Sequence, residues 1–105
     1  MLRIYDVVLE LMAALRPVME RIERRDADLA RQMRRAATSV PLNISEGSLS
    51  RGRNRPARYH TAMGSMRETL ACMEVAMALG YIEQIEAPLR RQIDHVLGTL
   101  HKVAR

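Results

Sequence analysis

Apolar residues recur every three or four positions along almost the whole chain of 105 residues. Near the start this run is unbroken and comprises Ile4, Val8, Leu11, Leu15, Val18 and Ile22. Such spacing places the apolar side chains on one face of an α-helix. No segment shows the alternating pattern of a half-buried strand. We therefore expect an all-α protein.

Turn signals divide this pattern into four segments, and we predict helices over residues 3–23, 27–47, 56–79 and 86–103. The first helix is expected to continue through Pro17 with a bend, because the apolar residues stay in phase beyond it. Asp26 or Asp28 is expected to cap the second helix, and Gly47 to end it with a left-handed backbone. The segment Ser48–Arg55 contains Ser and Gly and lacks apolar periodicity after its second residue, which predicts a flexible loop.

Helices of this length are about 30 Å long, and short turns between them predict an antiparallel up-down four-helix bundle, a single domain over residues 1–105. The third helix has one seam of large residues: Tyr59, Met63, Met66, Leu70, Met73 and Met77. A second seam is mostly small: Ala62, Ser65, Thr69, Cys72, Ala76 and Leu79. Because apolar residues cover so much of this helix, we expect it to lie at the centre of the bundle.

The composition excludes several protein classes. Hydrophobic residues make up 48% of the chain and charged residues 28%, which is typical of a soluble domain. The single cysteine, Cys72, excludes a disulfide framework within the chain and a multi-cysteine zinc site. Charged residues interrupt every apolar run, so no membrane span or signal-peptide core fits. We therefore expect a cytoplasmic protein.

The histidines do not form a recognisable catalytic or metal-binding pattern. Metal sites in carboxylate-bridged bundles need Glu three positions before a histidine. The positions before His60, His95 and His101 hold Ala57, Gln92 and Gly98. Cys72 lies about 120° around the third helix from His60, so the two cannot pair there. We predict no catalytic residue, no metal ligand and no cofactor.

An arginine cluster is the feature that most directly suggests a function. Arg51, Arg53, Arg55 and Arg58 lie within eight residues that contain no acid, and the chain has a net charge of +5. Guanidinium groups bind phosphate through two parallel hydrogen bonds. The cluster therefore predicts contact with the backbone of RNA or DNA. The alternative is a solvated loop in a protein whose basic residues are nearly all arginine.

A second basic region surrounds Arg34 and Arg35 and provides two further candidate nucleic-acid contacts. Residues 1–50 hold eight basic and seven acidic groups, so ion pairs along a solvated face are the favoured interpretation of this region. The second helix also has a polar stripe comprising Gln32, Ser39, Asn43 and Glu46. Its expected partners are Arg34 and Arg35, residues of the third helix such as Glu68, or the same stripe on another subunit.

Two segments carry a family resemblance: QMRRAATSVPLNISEG over residues 32–47 and GSMRE over residues 64–68. They resemble the 23S rRNA intervening-sequence proteins, and the accessory variability determinant proteins of diversity-generating retroelements are similar to the same family. The resemblance implies a four-helix protomer that assembles into a homo-oligomeric ring, commonly a pentamer. The accessory proteins bind nucleic acid and a partner reverse transcriptase. The family positions in this chain are Arg35, Asn43, Glu46, Gly47, Gly64, Ser65 and Glu68.

These observations support three hypotheses about function. The first is a non-enzymatic homo-oligomeric bundle that binds nucleic acid, and the wide apolar faces of so short a chain also favour self-association. The second is a protein-interaction scaffold, for a reverse transcriptase or another polymerase, that does not contact nucleic acid. An enzyme is the third. Gly64 and Ser65 are expected to have a structural role, at a close contact between the third helix and a neighbouring helix.

Overall fold

The structure, a computed structural model, describes residues 3–104, which form four α-helices and contain no strand. These are α1 (Arg3–Arg25), α2 (Ala27–Leu49), α3 (Asn54–Ala78) and α4 (Ala87–Val103). The expected all-α class is confirmed for this part of the chain. The predicted helix ends differ from the observed ones by at most two residues. Residues 1, 2 and 105 of the predicted domain lie outside the described residues.

Consecutive helices run in opposite directions. Asp26 alone joins α1 to α2, and the Tyr81 hydroxyl, just after α3, donates a hydrogen bond to its carboxylate over 3.2 Å. At the other end of the bundle, Arg3 of α1 lies beside Thr99 of α4. The α1–α2 and α3–α4 connections therefore share one end, and the α2–α3 turn lies at the opposite end.

The core is aliphatic and lies along the bundle axis. All six residues of the predicted α1 run are buried, and α1 continues without interruption through the exposed Pro17. On the other helices, the largest fully buried side chains include Met33, Ile44, Met66, Met73, Ile93 and Leu100. Methionine suits such a core because its unbranched side chain fills irregular gaps.

The expectation that α3 lies at the centre of the bundle is wrong. Both α1 and α3 pack against α2 and α4, and the diagonal pairs make little or no contact, so each helix occupies a corner. The most extensive packing joins α2 to α3. Leu79 belongs to the predicted small seam yet is 55% exposed, and Val75 is 45% exposed. Apart from Leu79, all residues of both predicted seams are buried or half-buried, so neighbouring helices of the same chain cover both seams.

Gly47 does not end α2 with a left-handed backbone, as the sequence suggested. It is a buried helical residue, and the helix continues for two residues beyond it. A Cβ atom at this position would overlap the ring of Tyr59, the first buried residue of α3. The glycine is therefore required by the close approach of the two helices, and its conformational freedom is not used.

The turns at the other end of the bundle follow standard capping chemistry. The carboxylate of Asp26 accepts a hydrogen bond from the Leu29 backbone N–H over 3.0 Å, so the predicted cap of α2 is confirmed at Asp26. Gly80 ends α3 with a φ of 78°. The Tyr81 N–H donates to the Ala76 carbonyl over 2.8 Å, as in a Schellman motif. This motif directs Tyr81 back towards the α1–α2 junction.

None of these four helices combines the length and the apolar character needed to cross a lipid bilayer, within the part of the chain that the structure describes.

Candidate nucleic-acid interface

The α2–α3 turn is shorter and more ordered than the predicted loop. Only residues 50–53 lie outside the helices, because α2 extends to Leu49 and α3 already begins at Asn54. The flexible loop predicted over Ser48–Arg55 is therefore wrong in extent. The Ser50 N–H donates to the Gly47 carbonyl over 3.2 Å, and the Ser50 hydroxyl donates to the Glu46 carbonyl over 2.7 Å. These bonds use carbonyls that the last turn of a helix leaves free.

Arg55 has a structural role within this turn. Its Nε donates to the carbonyls of Gly47 and Ser50, each over 3.2 Å, and its Nη2 donates to the Ser48 carbonyl over 3.4 Å. The guanidinium thus binds the C-terminal end of α2, where the helix dipole favours a cation. Of the four clustered arginines, Arg55 is therefore engaged with the backbone of its own chain.

The other three arginines of the cluster point into solvent. Arg51, Arg53 and Arg58 are exposed, and none of them is ion-paired within residues 3–104. A shallow polar groove of about 350 Å³ lies beside them, and its lining includes Ser50, Asn54, Arg58 and Thr61. The start of α3 adjoins this groove and has no side-chain cap. The backbone N–H groups of Asn54 and Arg55 therefore have no helical acceptor, whereas Pro56 has no N–H and the Ala57 N–H donates to the Arg53 carbonyl.

Antiparallel topology brings two further cations to the same end of the bundle. Arg3 begins α1, and Lys102 lies in the last turn of α4, so both are at the end that holds the α2–α3 turn. Both side chains are exposed. We call this set the basic end: Arg3, Arg51, Arg53, Arg58 and Lys102. Sequence reasoning missed Arg3 and Lys102 because they are far from the cluster along the chain.

Arg34 and Arg35 do not join the basic end. They lie near the middle of α2, about 20 Å from the turn at 1.5 Å per residue. Arg34 is ion-paired with Glu23 of α1. That hydrogen bond, together with the positive charge of Arg34, lowers the pKa of the Glu23 carboxyl. Arg35 is exposed and has no ion-pair partner in the described part of the chain.

The histidines and the cysteine are not assembled into a reactive site. Among residues 3–104, no three His, Cys, Asp or Glu side chains are grouped closely enough to hold a metal ion. Cys72 is buried on α3. Burial, and to a lesser degree the negative charge of Glu68, raises the pKa of its thiol. A raised pKa disfavours the thiolate, which is the nucleophilic form of cysteine.

A comparison with known protein families identifies the family to which the chain belongs. Residues 1–102 match the family described as 23S rRNA-intervening sequence protein. The chain belongs to this family. No curated protein and no solved structure matches this chain.

The family motif residues of this chain all lie on the paired helices α2 and α3. Ser65 of α3 donates a hydrogen bond to the Ser39 hydroxyl of α2 over 2.8 Å. Asn43 donates to the same hydroxyl and to the Ser39 carbonyl, each over 2.9 Å. Ser39 and Asn43 of the polar stripe are thus satisfied within the protomer, and the partner is a residue of the third helix as predicted, although it is Ser65 and not Glu68. Gln32 and Glu46 of the stripe are exposed.

Gly64 is the motif residue whose expected environment is wrong. It is exposed on α3, and a Cβ atom built there would have no neighbour within 4 Å. The close helix contact predicted for Gly64 is therefore absent among the described residues of the protomer. The close contact between α2 and α3 is made at Gly47 instead, in the last turn of α2.

Proposed function

We propose that this protein is a non-enzymatic homo-oligomer that binds RNA or DNA through its basic end. The observation that carries the proposal is the exposure of Arg51, Arg53 and Arg58 around one short turn without ion-paired carboxylates among residues 3–104. Arg3 and Lys102 extend the same positive surface. The guanidinium groups would bind backbone phosphates, which carry little sequence information.

The local helix geometry supports anion binding at this turn. The C-terminal end of α2 carries partial negative charge, which by itself would repel a phosphate. The Arg55 guanidinium binds those carbonyls and offsets that charge. The adjacent N-terminal end of α3 carries partial positive charge and free N–H groups. No aromatic residue lies in the turn, so base stacking is not part of the proposed binding mode.

Two observations favour a role without catalysis. Among residues 3–104, none of the three histidines belongs to a group of three side chains that could hold a metal ion. The pKa of the only cysteine is raised rather than lowered, unlike that of a nucleophilic cysteine. The proposed function therefore depends on binding and assembly alone.

The first experiment compares two triple variants of equal net charge. One carries Arg51→Ser, Arg53→Ser and Arg58→Ser, and its matched control carries Arg24→Ser, Arg67→Ser and Arg91→Ser. The control arginines are also exposed, and none of them is ion-paired in the described part of the chain. Binding of duplex RNA and duplex DNA is measured at several salt concentrations between about 50 and 200 mM.

We expect the first variant to bind more weakly and to lose about one unit of salt slope for each arginine that contacts a phosphate. The control should retain most of the affinity because its arginines lie away from the turn. An equal loss in both variants would show that only net charge matters, and unchanged binding in the first variant would exclude the basic end.

A second experiment tests the scaffold alternative, in which the partner is a reverse transcriptase or another polymerase. The full-length protein is used to capture partners before and after nuclease treatment. Direct nucleic-acid binding predicts that proteins attached through nucleic acid are released by the nuclease. A polymerase that stays bound after digestion would instead support the scaffold. Light scattering tests the homo-oligomer, since a particle of 12.0 kDa at micromolar concentration would contradict it.

A further inference from the structure

The α2–α3 pair has an outward surface that no helix of the protomer covers. On α3, one line of exposed residues at steps of four and three is small or apolar except for Glu68, and the exposed Arg67 and Glu74 flank it: Gly64, Glu68, Ala71, Val75 and Ala78. The neighbouring α2 exposes Leu42 at 64% and Leu49 at 79%. We call the five residues of this line, the two leucines and Arg35 the α2–α3 outer face. A heptad-like spacing of apolar residues is typical of a helix that packs against another helix.

Contacts within the protomer do not explain why residue 64, Gly64, is a glycine. It lies inside a regular helix, where glycine costs about 0.5–1 kcal/mol relative to alanine. Its φ is not positive, and nothing within 4 Å would meet a Cβ atom there. Neither backbone conformation nor packing within the chain therefore requires glycine. A missing side chain on an exposed helix does permit the backbone of a second molecule to approach closely.

The charges on this face are arranged so that it is complementary to itself. The Ser39–Ser65 hydrogen bond sets the register of the antiparallel pair. Arg35 lies four residues before Ser39 and Glu68 lies three residues after Ser65, so both are about 5 Å from that contact along the same direction. Both are exposed, and neither is ion-paired within residues 3–104. The α2 helix thus presents a cation where α3 presents an anion.

We infer that a second copy of this chain packs on the α2–α3 outer face, with α2 of one copy against α3 of the other. This arrangement places Arg35 of one copy opposite Glu68 of the other. It also brings Leu42 to within about one helical turn of Gly64, where the absent side chain leaves room for it. The inference rests on the proposed homo-oligomer and specifies the surface through which it forms. Charge complementarity selects a second copy because the face carries both members of the ion pair.

A matched pair of glycine variants tests the surface. Gly64→Leu places a large side chain at the inferred closest approach, and Gly98→Leu makes the same change on the outer side of α4. Both glycines are exposed and helical, and neither has an atom within 4 Å of its Cβ position. Both variants should therefore keep the fold and gain helix propensity. Molar mass is measured by light scattering without nucleic acid, and helix content by circular dichroism.

We expect the wild-type protein and Gly98→Leu to form the same oligomer, and Gly64→Leu to give a folded particle of 12.0 kDa. If Gly64→Leu keeps the wild-type mass, the oligomer forms through another surface and this inference is overturned, although the proposed homo-oligomer stands. If the wild-type protein itself is a 12.0 kDa particle, the homo-oligomer fails and the inference fails with it.

A charge exchange tests the pairing between copies. Arg35→Glu alone and Glu68→Arg alone should each reduce the oligomer mass, because each places like charges opposite one another. The double variant should restore it, and the difference between the single variants and the double variant should disappear at about 1 M salt, where screening acts over about 3 Å. Failure of the double variant to restore the wild-type mass would contradict the predicted α2-to-α3 pairing.

Discussion

The ring of Tyr59 occupies the position that a Cβ atom would take on Gly47 and joins the beginning of α3 to the last turn of α2. Tyr59 is buried, as is the glycine beneath it. The contact holds the two helices together immediately beside the α2–α3 turn. The positions of Arg51, Arg53 and Arg58 therefore depend on a packing contact that contains no charged group.

Gly47→Ala should destabilise the protein. The added methyl group would overlap the Tyr59 ring, and such overpacking costs about 1–3 kcal/mol in the free energy of unfolding. Gly98→Ala is the control, because that glycine is helical and its Cβ position is open; this change should stabilise the protein by about 0.5–1 kcal/mol. Urea unfolding measures both. Equal stability of the two variants would contradict the Tyr59 contact.

Arg55→Gln should lower stability, whereas Arg53→Gln should not. The Arg55 guanidinium is bonded to three carbonyls at the end of α2, and losing a charged donor there should cost about 1 kcal/mol. Arg53 is exposed and has no ion-pair partner in the described part of the chain. Urea midpoints of the two variants provide the comparison. A larger loss of stability for Arg53→Gln than for Arg55→Gln would contradict the structural role assigned to Arg55 in this turn.

Asp26→Ala should destabilise the protein by about 1–2 kcal/mol, because it removes the cap of α2. It also removes the acceptor for the Tyr81 hydroxyl, so Tyr81→Phe measures that part of the loss separately and should destabilise the protein less than Asp26→Ala does. Asp28→Ala is the control, since Asp28 makes only an exposed ion pair with Arg31. Thermal and urea unfolding measure the three variants. A loss for Asp28→Ala as large as that for Asp26→Ala would contradict the assigned cap.

Glu23→Gln should make stability less dependent on acid pH. The pKa of Glu23 is lowered below its usual value of 4.5 by the hydrogen bond and charge of Arg34. A lowered pKa in the folded state means that the stabilising contribution is complete above the unfolded-state pKa. It is lost as the pH falls through the lower, folded-state value.

Urea unfolding at a series of pH values tests this expectation. The stability of wild type relative to Glu23→Gln should be constant near neutral pH and should decrease as the pH falls below about 4.5. Glu74→Gln is the control, because Glu74 is exposed and has no ion-pair partner among the described residues. If the difference in stability between wild type and Glu23→Gln stays the same down to about pH 2, the ion pair is excluded as its source.

The sequence predicted the helices well and the environments of individual glycines poorly. Helical periodicity in α1 identified all six of its buried residues, because burial of one face repeats with the period of the helix itself. The same reasoning misassigned Gly47 and Gly64. A glycine can serve a turn, a close contact within the chain or a contact with another molecule, and the sequence is identical in each case.

The candidate interface was likewise predicted only in part. The sequence identified four clustered arginines but could not distinguish Arg55, which binds the end of α2, from its three exposed neighbours. It also could not place Arg3 and Lys102 beside them. Hydrogen bonds to backbone carbonyls depend on where a turn ends, and proximity at one end of a bundle depends on the direction of each helix.

The sequence by itself determined the all-α class, the number of helices and the aliphatic faces that form the core, because these depend on local periodicity and propensity. Tertiary structure alone decided which apolar faces remained exposed, which arginines were left free and which polar side chains became partners. The physical reason is that residues distant in the chain meet only through helix packing. The distances and the electrostatic interactions between such residues are therefore set only when the helices pack together.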